Sequence, residues 1–123
     1  RTTEDTGFLG SSKLHDMDVV VLHFKNYDPE KPGRAAFENM QAYVENGGGL
    51  VLVHFACGAF EEFKDEFEKV AGRVWIVLKH EYKDRHQHDP HGLFTVEIPD
   101  TEHPITRVMK SFETRYELYT CLE

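Results

Sequence analysis

Residues 46–60 read N-G-G-G-L-V-L-V-H-F-A-C-G-A-F, and the fold turns on how this stretch is read. Three glycines let the chain reverse, an apolar run makes a buried strand, and the run ends in His54, Phe55, Ala56 and Cys57. A helical pattern follows at once. In open α/β sheets, a polar or nucleophilic residue at the carboxyl end of a parallel strand, just ahead of a helix, sits where ligands bind. His54 and Cys57 are therefore the first candidate site residues.

Upstream, Gly33 to Asn46 has Phe37, Met40, Gln41 and Val44 at three- and four-residue steps, which predicts an amphipathic helix. Asn46-Gly47 stops it, because glycine takes the left-handed conformation cheaply. Before it, Asp16 to Phe24 (D-M-D-V-V-V-L-H-F) is an unbroken β-branched run between charges, as in a strand buried on both faces. Strand, helix and strand at these lengths make a βαβ unit, whose crossover should be right-handed. Residues 1–16 read as a helix end and a loop.

Downstream, Ala59 to Ala71 predicts a second helix with Phe60, Phe63, Phe67 and Val70 inside, and Val74 to Leu78 a short extended segment. The polar stretch 79–91 follows, and Leu93 to Ile98 alternates like a strand with one face exposed. Ile105 to Lys110 reads as a short helix and Phe112 to Leu122 as a closing extended segment. One α/β domain, residues 1–123, is the economical reading.

The chain has 123 residues, 40% of them hydrophobic, and a formal net charge of −8. That is enough to bury roughly two-thirds of the unfolded surface in one core. No basic face is visible, which argues against nucleic acid as a partner. The apolar runs reach about six residues, against the ~20 that a membrane span needs. Two cysteines suit a reducing compartment such as the cytoplasm, with a periplasmic location open if a leader is absent. Both ends look cut, as in a fragment or a trimmed core.

Chemistry-bearing residues gather in four places. A thiol at Cys57, facing a helix N-terminus with His54 three residues upstream, could act as a nucleophile. The A-C-G-A context lacks the G-x-C-x-G elbow, however, and free cysteine is usually inert packing. His80, His86, His88 and His91 crowd the polar loop without C-x-x-C or H-E-x-x-H, so they read as weak metal ligands or solvated side chains. His103 precedes Pro104, which is also a sensible start for a short helix. Glu117, in Y-E-L-Y, could orient a histidine, take a proton or bind a sugar hydroxyl, or could be a plain surface acid.

Three of these segments together resemble the ThuA-like (trehalose-utilisation) family: the glycine-led strand 46–60, H-P-I-T at 103–106, and Y-E-L-Y at 116–119. D-V-V-V-L at 18–22 and the H-D-P-H-G-L-F-T-V-E-I-P-D segment at 88–100 support the match. The resemblance implies a class I glutamine amidotransferase-like, flavodoxin-like three-layer α/β/α fold with a mainly parallel sheet, here truncated at both ends. It implies carbohydrate metabolism and a small-molecule carbohydrate ligand. Carried onto this chain, the pattern places His54, His103 and Glu117 as catalytic residues. His88, His91, Tyr119 and Cys57 stand beside the substrate. A divalent metal, if one binds, would take His54, His88 and His103. The family's usual D-E-L-Y has Tyr116 in place of its first acid, which weakens any role for paired carboxylates. The implied activity is that of a hydrolase or other enzyme acting on a sugar derivative. The alternatives are a thiol hydrolase or amidotransferase-like enzyme using Cys57, and a non-catalytic binding domain of the same fold. An incomplete sheet would leave an exposed edge or call for a partner, so a homo-oligomer is one expectation.

Overall fold

The computed structural model describes residues 2–24, 31–75, 90–119 and 122. The chain divides into two compact units, residues 1–78 with 122–123, and residues 79–121. Each is described by itself.

The first unit is α/β. Strand β1 (Val19–Leu22), helix α1 (Gly33–Glu45) and strand β2 (Gly49–Leu52) follow in order. The two strands pair in parallel, Val19 with Gly49 through Leu22 with Leu52. The Gly49 N–H bonds the Asp18 carbonyl at 3.0 Å, and the Val53 N–H bonds the Leu22 carbonyl at 3.0 Å, so the ladder runs past both strand ends. The helix ends where the sequence predicts: Gly47 takes φ +93°, and the Gly48 N–H reaches back to the Tyr43 carbonyl at 3.0 Å. That closes the last turn in a Schellman arrangement.

Alternation along the strands sends Val20, Leu22, Leu50 and Leu52 to one face, where they join a core with Ala36, Phe37, Met40 and Tyr43 of α1. The buried stripe of α1 is thus centred one step away from Gln41 and Val44, which are only half-buried. Phe37 is fully buried, with the rings of Phe60 and Phe63 each 5.3 Å from its own and that of Phe67 at 6.5 Å. The opposite face of the sheet carries Val19, Val21, Val51 and Val53, which are 55%, 64%, 47% and 39% exposed. The expectation of strands buried on both faces is therefore corrected: the helix covers one face and the valine face meets water.

Other boundaries shift for local reasons. Residues 6–16 form two short 3-10 helices, Thr6–Gly10 and Ser12–Asp16, rather than the tail of an α-helix. Asp5 accepts from the Gly7 N–H and Ser11 from the Lys13 N–H, so short polar side chains take donors that an α-helix would use. Asn39 of α1 fastens both pieces, donating to the carbonyls of Leu9 at 2.7 Å and Ser11 at 3.1 Å. The second helix was expected from Ala59, but α2 spans Lys64–Ala71. Phe60 stands at φ +54° and interrupts any helix beginning before it, leaving only a 3-10 turn at Glu61–Phe63. Val74 and Trp75 form no strand, and Ile76 to Leu78 lie outside the described residues.

The second unit holds an antiparallel pair, β3 (Gly92–Val96) and β4 (Phe112–Tyr116), with Gly92 opposite Tyr116 and Val96 opposite Phe112. Exposure alternates along β3, as the sequence predicts for a half-covered strand. The helix expected at Ile105 to Lys110 is instead a turn, with the Thr106 and Arg107 N–H groups both bonded to the His103 carbonyl at 3.0 and 2.9 Å. Among the described residues no helix is long and apolar enough to cross a membrane.

Candidate functional site

The carboxyl ends of β1 and β2 carry the clearest cluster. His54 lies one residue past β2, after Val53, and opens a 3-10 turn, His54–Gly58, with its backbone at φ +54°. A left-handed conformation costs a non-glycine residue of order 1–3 kcal/mol. Its ring is exposed and lies 4.9 Å from that of Phe55, tilted by 49°. On Phe55 also rests His23, the residue after β1, with ring centroids 4.6 Å apart and planes within 26°. Two imidazoles and a phenyl ring thus meet at the edge where parallel sheets bind ligands.

His23 and Phe55 are not among the residues the motifs single out, though the sequence carries a signal for them. Each strand runs out into the same dipeptide: V-V-V-L-H-F ends at Phe24 and L-V-L-V-H-F at Phe55. In the register that pairs Leu22 with Leu52, His23 and Phe55 lie one and three residues past the last pair, and their rings stack.

Cys57 lies inside the same 3-10 turn, half-buried, and its thiol donates to the His54 carbonyl at 3.4 Å. Its own carbonyl accepts from the Trp75 N–H at 2.9 Å. The dipole argument for a reactive thiol needed a helix beginning at Ala59. With α2 starting at Lys64, that argument falls away.

The second unit holds His91, His103, Glu117 and Tyr119. His91 is exposed just ahead of β3. Glu117 follows β4, and its carboxylate accepts a hydrogen bond from the Tyr119 hydroxyl at 2.9 Å in a part-buried setting. Tyr119 is therefore tied to the acid that the Y-E-L-Y motif singles out. His103 sits in the turn after Asp100, exposed, with its main chain held by the carboxylate of Asp100 at 3.0 Å.

His88 and the other loop histidines at 80 and 86 lie outside the described residues. Among the described residues no three histidine, cysteine, aspartate or glutamate side chains gather as a metal cage. Of the expected donor set, His88 lies outside the described residues, His54 belongs to the first unit and His103 to the second.

No curated protein and no solved structure matches the chain. A family model does, over residues 1–123, so the match takes in the His54 strand end, the His103 turn and the Glu117–Tyr119 pair together. The chain belongs to the ThuA family, whose description is trehalose utilisation.

Proposed function

We propose that this protein binds a sugar or sugar derivative at the carboxyl edge of its parallel strands, as part of carbohydrate metabolism, and acts on it through a histidine/carboxylate site. The observation that carries this is His54. It is exposed and held at φ +54° at the tip of β2, a conformation that strains a non-glycine residue. Strain of that kind is retained at sites where a side chain must be aimed. Phe55 and His23 beside it supply the apolar ring face and polar nitrogens that a pyranose ring needs. Glu117, whose carboxylate accepts from the Tyr119 hydroxyl, is the proton-handling carboxylate of the reading. His103, His91 and His88, which the family match also covers, are the further residues proposed to touch the ligand.

The match running through both units supports reading residues 1–123 as one domain. The finer fold is then the three-layer flavodoxin-like arrangement, with the open valine face of β1 and β2 as the place for its second helical layer. An acidic net charge of −8 favours a small-molecule ligand over nucleic acid. The open sheet edge is where a second copy would add in a homo-oligomer, and two cysteines suit the cytoplasm.

Titration with trehalose, followed by calorimetry, tests the reading on wild type, His54→Asn and His23→Ala. Asparagine tolerates the left-handed backbone, so His54→Asn removes the imidazole without disturbing the turn. Wild type should bind, and each variant should weaken binding by about tenfold. Equal binding by His54→Asn would sink the proposal.

A further inference from the structure

The turn at residues 100–109 fixes more than the position of His103. The Asp100 carboxylate accepts from the N–H groups of Glu102 at 2.9 Å and His103 at 3.0 Å. The Thr106 hydroxyl donates to the Asp100 carbonyl at 2.6 Å. The His103 carbonyl in turn accepts from Thr106 and Arg107. Each backbone polar group of His103 is thereby engaged.

The ring is engaged too. The Ile105 N–H donates to Nδ1 of His103 at 3.2 Å. Pro104 carries no N–H, so Ile105 is the first residue after the histidine able to make this bond. A backbone N–H can only donate. Nδ1 must therefore present its lone pair, and the proton of the neutral imidazole must sit on Nε2. The ring is exposed, which leaves Nε2–H facing water or a ligand.

We propose that His103 is a binding residue that offers a fixed neutral Nε2–H donor to an oxygen of the sugar ligand. It is neither a metal ligand nor a general base. Metal coordination through Nε2 would require the proton to move to Nδ1, against the Ile105 N–H. The same move would be needed before Nε2 could accept a proton from a substrate hydroxyl. Ligand oxygens with lone pairs fit this donor, and a divalent cation does not. The assignment of the ligand rests on the sugar-site reading above; the assignment of the proton does not.

Two-bond proton–nitrogen correlation spectra of the uniformly ¹⁵N-labelled full chain test it, in buffer near about pH 8.5, well above the ordinary imidazole value. His103 signals are identified by their loss in His103→Gln. The expected pattern has a protonated Nε2 coupled to both ring carbon-bound protons and an unprotonated Nδ1. The reverse pattern, or an average of the two, overturns the proposal. On adding zinc chloride the His103 signals should stay in place; their displacement with the spectrum of a coordinated Nε2 also overturns it. With trehalose, His103→Gln, which keeps a side-chain N–H donor, should bind like wild type, and His103→Ala should lose about tenfold. Equal binding by wild type, His103→Gln and His103→Ala removes the donor role. If wild type itself fails to bind trehalose, the sugar reading falls, and the tautomer pattern alone decides the state of His103.

Discussion

His54 and Phe60 share one unusual backbone conformation, φ +54°, and differ in what holds it. Phe60 is 1% exposed among the rings of Phe37 and Phe67, so burying a large side chain offsets the strain. His54 is exposed and has no such compensation from burial. The two should respond in opposite ways to glycine, which adopts the left-handed region freely at a cost of about 0.5–1 kcal/mol in chain entropy. We expect His54→Gly to be as stable as wild type or up to about 1–2 kcal/mol more stable in urea unfolding, while losing trehalose binding. Phe60→Gly should lose about 3–5 kcal/mol or fail to fold. A clear destabilisation by His54→Gly would remove the strain from the functional reading. At this scale the sequence shows where His54 lies, because an apolar run ending in a polar residue marks a strand tip. Its dihedral angle is invisible there. So is the stacking of His23 on Phe55, which exists only once two strands have paired in register.

The elements were legible where periodicity is strong and hidden where one residue breaks the pattern. Helix α1 matches its expected span almost to the residue, since its stripe of Phe37 and Met40 and its glycine stop agree. Helix α2 begins five residues later than its pattern, because no periodicity announces a left-handed Phe60. The turn from α1 into β2 depends on close approach: a Cβ on Gly48 would run into the Tyr43 ring, which is 3% exposed and donates its hydroxyl to the Gly49 carbonyl at 3.1 Å. Gly48→Ala should therefore cost about 1–3 kcal/mol in chemical denaturation, and Tyr43→Phe about 1 kcal/mol through its lost bond. A neutral Gly48→Ala would mean that the ring can step aside. Ahead of α1, Lys31 bonds the Glu62 carboxylate at 2.8 Å. That hydrogen bond first, then the charges of Glu62 and Glu61, raise the lysine above its ordinary 10.5. A raised lysine value means that the stabilisation is fully present below the unfolded-state value and is lost as pH climbs through the folded-state one. The melting-temperature gap between wild type and Glu62→Gln should thus stay constant from about pH 7 to about pH 9 and close only in strongly alkaline buffer. A gap that closes on acidification instead, while Glu62 is still charged, would show that the pair is not its source.

For the whole molecule, the decisive property is that a parallel sheet has a helix on one face and four valines open on the other. An unbroken run such as V-V-V-L carries no record of which face is covered. It is equally apolar on both, so the sequence reading buried both, and only packing against α1 separates Val20 and Leu22 from Val19 and Val21. Parallel sheets with a bare apolar face are unusual, and the bareness can be measured. Val21 and Val51 are register partners on that face. Replacing both with threonine keeps the β-branched shape and strand preference and exchanges one methyl of each for a hydroxyl. Where water already reaches the side chains, the hydroxyls remain solvated and the exchange is nearly free. In a covered face each unpaired hydroxyl costs about 1–3 kcal/mol. For this chain Val21→Thr/Val51→Thr should change the unfolding free energy by less than about 1 kcal/mol and lower the fluorescence of a dye that binds apolar surface. Leu22→Thr, facing the core at 7% exposure, should lose about 2 kcal/mol or more in the same assay. A loss in the valine pair as large as that of Leu22→Thr would show that a layer already lies over Val21 and Val51 in solution.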